Sequence, residues 1–325
     1  MVRAAKPNEL ILTREYDAPV ELVWSAWTDP EQAAKWWGPR GFTLTTHSKE
    51  LRPGGIWHYT MHGPDGTDYI NKALYHVVEE HRRLVYDHGG NDERAPLFRV
   101  SVEFIPVGQR TRMEMIMTVE SEEAARNMKG FIKQAGGNAT WDRLAEYLAE
   151  NHQHKSRFVI NRSFDVPADV LFDAWTQPTQ LVSWIPPTGF SMQILRGEIQ
   201  SGQTIFFVMK NTEGYAFHAQ FHYQEISTPT RIVYTQQFCD AEENLAAPDF
   251  GPHWPQTLLT TVEFTPEGER QTRVTVTSEP VGAVTEPELT AFLNERTGMT
   301  KGWTGSFDVL ETLLPEFQSL SASMK

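Results

Sequence analysis

The feature that most constrains this chain is a long segment that occurs twice. Residues 14–37 read R-E-Y-D-A-P-V-E-L-V-W-S-A-W-T-D-P-E-Q-A-A-K-W-W, and residues 162–185 read R-S-F-D-V-P-A-D-V-L-F-D-A-W-T-Q-P-T-Q-L-V-S-W-I. The match continues without a gap for more than seventy residues. A period this long exceeds any solenoid repeat and suits a whole domain. The sequence therefore predicts two copies of one fold, at residues 1–150 and 157–325, joined by a linker at 151–156.

Composition and charge narrow the class of protein. A net charge of −13 argues against a nucleic-acid-binding surface, which needs a basic stripe. The single cysteine, Cys239, excludes an intramolecular disulfide and suits a reducing compartment. The N-terminus has no apolar signal-peptide core, and no apolar run is long enough to span a membrane. We therefore expect a cytoplasmic protein without nucleic-acid or membrane partners.

The repeated segment reads as a strand followed by two short helices. The first helix is predicted from apolar residues at i, i+3, i+4 and i+7, which form one helical face. These residues are Val20, Val23, Trp24 and Trp27 in copy one, and Ala168, Leu171, Phe172 and Trp175 in copy two. Asp29-Pro30 ends this helix and begins the next, which ends at Trp36-Trp37-Gly38-Pro39.

Strands follow in both copies, each with one apolar and one polar face. The alternation is clearest at Phe217, Ala219, Phe221 and Tyr223, and period two is typical of a sheet with one buried face. The segments that begin at residues 14 and 162 are 162 − 14 = 148 residues apart. Farther along, Val102 matches Val262, at the larger spacing of 262 − 102 = 160. Copy two therefore carries an insertion in the loop between Cys239 and Pro255. The pattern predicts a sheet of about six strands per copy.

Each copy closes with a helix. In copy two an apolar stripe runs from Met299 through Trp303 to Leu314, and Pro315 is expected to end it. One alignment of the closing helices pairs Trp141 with Phe307 and Gly137 with Trp303. A competing alignment pairs residues 129–131 with 301–303.

The order of elements resembles the helix-grip fold of the START-like (SRPBCC) superfamily. Within it, the D-A-P-x-E-x-V-W-x-A-W-T-D-P, K-W-W-G-P and R-P-G-G-x-W-x-Y-x-M-x-G-P-D-G segments are similar to one family, that of the C-terminal domain of the activator of the heat-shock-protein-90 ATPase. This resemblance implies an α+β fold in which a curved antiparallel sheet wraps around a long C-terminal helix, with a cavity between them. It also implies binding of apolar small molecules, co-chaperone action or self-resistance to reactive natural products.

A ligand cavity in copy one is the hypothesis that these patterns favour. Concave sites lined by apolar groups and a few polar tips are typical of small-molecule binding, and methionines adapt to varied shapes. The expected lining consists of Trp57, Tyr59, Met61, Tyr69, Asn71, Tyr75, Phe98, Met113, Met115, Met117 and Trp141. Tyr69 and Asn71 would orient a polar group, and Trp36 and Trp37 would flank the mouth. The alternative is that all these residues are core.

The two copies are expected to differ in function. On the closing helix, copy one has Gly137 where copy two has Trp303. The indole would fill this space in copy two, whereas the space would stay open in copy one. We therefore expect copy one to bind the ligand and copy two to be mainly structural.

Catalytic and metal-binding patterns are weak. No histidine or carboxylate clearly belongs to the inner face of copy one, where the titratable candidates are phenols. His58, His62, His218 and His222 fall on the polar face, and His152 and His154 on the linker, so we predict no metal and no cofactor. A co-chaperone module acting on a chaperone ATPase, and a cyclase- or hydrolase-like enzyme, stay open as alternatives to ligand binding.

Overall fold

The computed structural model describes residues 5–134, 139–153, 156–249, 251–268 and 270–323. The chain divides into two compact units, Met1–Lys155 and Ser156–Lys325.

The first unit begins with one strand and two helices, continues with six strands and ends with helices. These elements are β1 (Glu9–Tyr16), α1 (Val20–Thr28), α2 (Pro30–Trp36), β2 (Thr43–Lys49), β3 (Ile56–His62), β4 (Asp68–Glu79), β5 (Arg83–Gly90), β6 (Phe98–Val107), β7 (Arg110–Thr118), α3 (Glu122–Gln134) and α4 (Ala139–Leu148). A short π-helical segment, Ala149–Gln153, follows α4. The strands form one antiparallel sheet in the order β1-β7-β6-β5-β4-β3-β2.

The second unit repeats this plan. Its elements are β8 (Phe158–Phe164), α5 (Ala168–Thr176), α6 (Pro178–Trp184), β9 (Phe190–Arg196), β10 (Thr204–Asn211), β11 (Ala216–Ser227), β12 (Arg231–Cys239), β13 (Leu258–Gly268), β14 (Gln271–Pro280), α7 (Glu286–Asn294) and α8 (Arg296–Ser323). The sheet order is β8-β14-β13-β12-β11-β10-β9. Each unit is thus the predicted α+β helix-grip arrangement.

The helical pair α1–α2 forms for local reasons that the sequence carries. Pro30 occupies the first turn of α2, where a missing N–H costs little, and the Asp29 carboxylate accepts the N–H of Gln32 at 2.9 Å. The indole of Trp36 then donates to the Ala26 carbonyl at 3.0 Å, which fixes the angle between the two helices.

Each sheet has seven strands, of which the sequence patterns did not identify β2 and β9. β2 and β9 lie at the sheet edge, where one side of a strand is unpaired. β2 reads T-L-T-T-H-S-K, and only Leu44 in it is buried. A strand with so little apolar alternation gives almost no period-two signal, which is why it escaped prediction.

The prediction that Pro315 ends the last helix is wrong. α8 continues through Pro315 to Ser323. Beyond the proline, Phe317 is buried and the Ser321 hydroxyl donates to the Asp173 carboxylate at 3.2 Å. Tertiary packing therefore outweighs the backbone hydrogen bond that proline removes.

In the first unit the C-terminal region is described as two helices. The amphipathic α3 packs through Ala125, Met128 and Ile132 on Leu10 of β1, as a small cluster of its own. α4 packs on α1 and α2 and joins the main core through Leu144 and Leu148. Gly136 and Gly137 lie outside the described residues.

Two ion pairs agree with the alignment that pairs Trp141 of α4 with Phe307 of α8. Arg14 donates to Asp142 at 2.6 Å, and Arg162 donates to Asp308 at the same distance. The first pair is buried, with side-chain exposures of 0% and 3%, whereas the second is at 24% and 62%. The same connection is therefore internal in one copy and solvated in the other.

We expect Asp142→Asn to lower the free energy of unfolding by about 3–5 kcal/mol, because it removes the carboxylate charge beside a buried guanidinium. The matched change Asp308→Asn should cost about 1 kcal/mol or less, since solvent screens the exposed pair. Guanidinium denaturation of the full chain, followed by tryptophan fluorescence, compares the two. Equal losses would contradict this account.

Candidate functional site

The inner face of the first sheet carries most of the predicted ligand residues, at three levels of exposure. The buried ones are Trp57, Tyr59, Asn71, Tyr75, Met113 and Met115. The half-buried ones are Met61, Phe98, Met117 and Trp141. Tyr69 is 44% exposed beside Phe42, so it lies at the rim of the sheet rather than on its inner wall.

The two residues predicted to orient a polar group lie side by side but face different surroundings. The buried Asn71 amide donates to the Tyr69 carbonyl at 2.9 Å. Its amide nitrogen is therefore engaged by the backbone, while the Tyr69 ring is turned to the rim. Of the polar tips on this face, the Tyr59 hydroxyl reaches another side chain, as described below.

Large and small residues are exchanged between the two inner faces. Trp57 pairs across the strands with Ala73 in copy one, and the matching pair in copy two is Ile205 with Phe221. A large ring thus stands on β3 in one copy and on β11 in the other. Such an exchange conserves volume approximately, so it changes the shape of the face rather than its total packing.

A histidine that the sequence analysis missed lies on the inner face. His88 of β5 pairs in register with Phe98 of β6, and their rings stack with centroids 4.8 Å apart. Its ring also lies 6.3 Å from Tyr86 and 6.4 Å from Trp37, and it is half-buried. The alternation of Leu84, Tyr86 and His88 was the available signal. The expectation that no histidine belongs to this face is wrong.

A β-bulge places His88. On β4 and β5 the register passes from Lys72↔Gly90 to Leu74↔Asp87, so two residues oppose one. Gly89 has φ +81°, and a Cβ there would come within 2.7 Å of the Leu97 side chain. Bulges bend a strand and re-aim its side chains. In copy two the matching register at Phe221↔Gln236 shows no such shift.

The imidazole and the phenols of the inner face are held neutral. Burial lowers the pKa of His88 to about 4, and the positive charge of Arg94 acts in the same direction. Burial raises the pKa values of Tyr59, Tyr75 and Tyr86 above their ordinary range. The Tyr59 hydroxyl and His88 Nδ1 lie 3.3 Å apart. The face therefore offers uncharged hydrogen-bonding groups within an aromatic wall.

The Trp36-Trp37 corner belongs to the core. Both indoles are buried, and Arg143 of α4 secures the turn by donating to the carbonyls of Gly38 and Pro39 at 2.8 and 2.9 Å. The two tryptophans are therefore placed as packing residues, the alternative that the sequence left open.

Lys49 brings an amine to the same sheet. Its Nζ donates to the Trp27 carbonyl, at the end of α1, at 3.0 Å and lies 3.9 Å from the centroid of the Trp57 ring. Burial lowers its pKa to about 7, partly opposed by Asp29. The amine caps α1, and it has no equivalent in copy two, where Gly197 occupies the position.

The closing helices differ in how they cover their sheets. Trp141 of α4 stacks face to face on Trp27, with centroids 5.6 Å apart and planes at 12°. In copy two, Trp303 packs on Phe307 and joins the single continuous core. Because Gly137 lies outside the described residues, the predicted difference in free space between the copies stays a prediction.

Other candidate sites are thinly supported. No group of three or more metal-ligating side chains occurs in the described ranges. His62 pairs with Asp68 at 2.6 Å on the polar face, and the side chains of His152 and His154 lie outside the described part. No described helix is long and apolar enough to cross a membrane. Two surface depressions include none of the predicted ligand residues; one is lined by His81, Arg82 and residues 103–106, and the other by His253, Glu286, Pro287, Thr290, Ala291 and Asn294.

The family of the chain follows from a family model that matches it twice. The model described as "Activator of Hsp90 ATPase homolog 1-like protein" matches residues 17–149 and 165–315. The chain belongs to this family. One match lies in each of the two units, so both copies are members. No curated protein matches the chain.

Several solved structures are similar to parts of the chain. A protein from Nitrosomonas europaea is 25% identical over 45% of this chain and 97% of its own, with a TM-score of 0.42. One from Arthrobacter aurescens is 31% identical over 46% and 92%, with a TM-score of 0.41. The di-domain ARO/CYC BexL from the BE-7585A biosynthetic pathway is 11% identical over 94% and 97%, with a TM-score of 0.37. Since all these scores lie below 0.5, the assignment rests on the family match.

The low pKa of His88 makes stability depend on pH. The unfolded chain protonates this imidazole near pH 6.5 and the folded chain near pH 4, so the unfolded state binds more protons between these values. The free energy of unfolding should therefore fall as pH decreases from 7 to 4. Denaturation curves should show that His88→Gln removes on the order of 1–2 kcal/mol of this loss. An unchanged pH profile in the variant would refute the assignment.

Proposed function

We propose that the first copy binds a small, mainly apolar molecule on the inner face of its sheet. The proposed binding surface consists of the half-buried side chains of Met61, His88, Phe98 and Met117. The neighbouring residues of this face, such as Trp57, are buried. The second copy is mainly structural in this proposal.

The observation that carries the proposal is the partial exposure of apolar groups on an otherwise buried face. Phe98 and Met117 lie where the main core meets the small cluster under α3, and both contact the two clusters. Covering exposed apolar surface with a ligand is favourable by roughly 25 cal/mol per Å². Methionine is unbranched and adapts to different shapes, so this part of the face suits varied apolar ligands.

The imidazole and the phenols of the face favour binding over turnover. A general base works best when its pKa lies near the working pH. The pKa of His88 is about 4, and the phenols are raised out of range, so these groups stay neutral at pH 7. They suit hydrogen bonding to an uncharged ligand better than proton abstraction in a cyclase or hydrolase.

Copy two keeps two buried phenols, Tyr223 and Tyr234, but lacks other polar groups of this face. Its residues at the positions of Asn71 and His88 are Ala219 and Gln236. Met299, Trp303 and Phe292 pack into one continuous cluster with the sheet. This difference supports a structural role for the second copy.

A chaperone ATPase is the second candidate partner, because of the family's description. Ile56, Ile70 and Leu74 are exposed on the outer face of β3 and β4, where a protein partner would contact them. Stimulation of a purified chaperone ATPase by the full chain, lost in Ile70→Lys, would favour this function over ligand binding.

Native mass spectrometry of the purified full chain tests the primary proposal. We expect a bound small molecule that is lost in Met117→Trp, because an indole would occupy the ligand's space. Thr118→Trp is the matched control, since the next residue on β7 points to the opposite face of the sheet. Ligand retained in Met117→Trp, or lost equally in both variants, would rule out this surface.

A further inference from the structure

We infer that the ligand of the first copy carries a hydrogen-bond acceptor, such as a ketone or quinone carbonyl, which receives the Nε2–H of His88. This inference rests on the proposed function and adds the chemical class of the ligand. It follows from the direction of one hydrogen bond, between the Tyr59 hydroxyl and His88.

The pair begins at a buried hydroxyl. Tyr59 is fully buried on the inner face, where its ring lies beside the rings of Trp57 and His88.

This buried hydroxyl needs an acceptor for its hydrogen. A buried O–H is nearly always paired, and the pKa of Tyr59 is raised by burial, so the phenol keeps its proton. Its side-chain neighbour is Nδ1 of His88, at 3.3 Å. Because His88 is neutral, Nδ1 accepts and the ring proton lies on Nε2.

The far nitrogen of the ring is available to a ligand. Within the described ranges, Nε2 of His88 has no hydrogen-bond partner. The ring is half-buried and lies against Phe98, beside the apolar surface proposed above. The bulge at Gly89 holds it there. A single N–H donor in an apolar surrounding selects a ligand with an acceptor, since an unpaired buried donor is costly.

Gln236 occupies the matching position in copy two, and Phe207 replaces Tyr59 there. The hydrogen-bonded pair of a tyrosine and a histidine is therefore confined to copy one, and copy two supplies a control. Tyr59 is a positioning residue in this scheme, because it acts through His88.

A pair of matched probes tests the inference on the full chain. Binding of each probe is measured by the quenching of tryptophan fluorescence. We expect 2-acetylnaphthalene to bind several-fold to about tenfold more tightly than 2-isopropenylnaphthalene, which has the same shape but no hydrogen-bond acceptor. The preference should disappear in His88→Phe and persist in Gln236→Leu. Equal binding of both probes to the unmodified chain, or a preference that survives in His88→Phe, would overturn the inference.

The tautomer of His88 is a second readout, which needs no ligand. A long-range ¹H–¹⁵N correlation spectrum should show His88 protonated at Nε2, and Tyr59→Phe should weaken that preference. Protonation at Nδ1 in the unmodified chain would overturn the inference. If neither probe binds, the ligand-binding proposal is contradicted. The tautomer still decides the direction of the hydrogen bond between Tyr59 and His88.

Discussion

The arrangement of the first copy depends on how the short helix α4 is fixed across its sheet. Asp142 binds the buried Arg14 of β1, and Arg143 donates to the carbonyls of Gly38 and Pro39, directly after the two tryptophans. Trp141 stacks on Trp27 of α1. Three consecutive residues of one helix thus connect a strand, a turn and a second helix. Because charge, hydrogen bonding and ring stacking act together, the helix has one position over the sheet.

A second part of the inner face lies where two hydrophobic clusters meet. Phe98 and Met117 contact both the main core and the cluster under α3, and they stay half-buried. A bulge at Gly89 turns His88 into this region. The half-buried apolar surface therefore results from the junction of two hydrophobic clusters. The orientation of the His88 imidazole on it results from the β-bulge at Gly89.

The two copies show which features the fold requires and which it tolerates. Trp36 and Trp184 donate to equivalent helix carbonyls, so the angle of the helical pair is common to both. The ion pair between first strand and last helix also recurs, but it is buried in one copy and exposed in the other. The large ring of the inner face stands at Trp57 in one copy and at Phe221 in the other. The fold constrains volume and connection, while the identity of the inner-face groups varies.

The sequence by itself determined the tandem fold, the α1–α2 pair and the buried faces of most strands, since these follow from local periodicity and from a segment written twice. It missed the edge strand β2, which has almost no apolar pattern. It also misplaced the end of α8, because distant packing decided whether Pro315 is tolerated. His88 belongs to the site only through the bulge and the partners that the sheet brings to it. Period-two patterns record which face a residue occupies, whereas contacts between strands far apart in the chain decide what that residue meets.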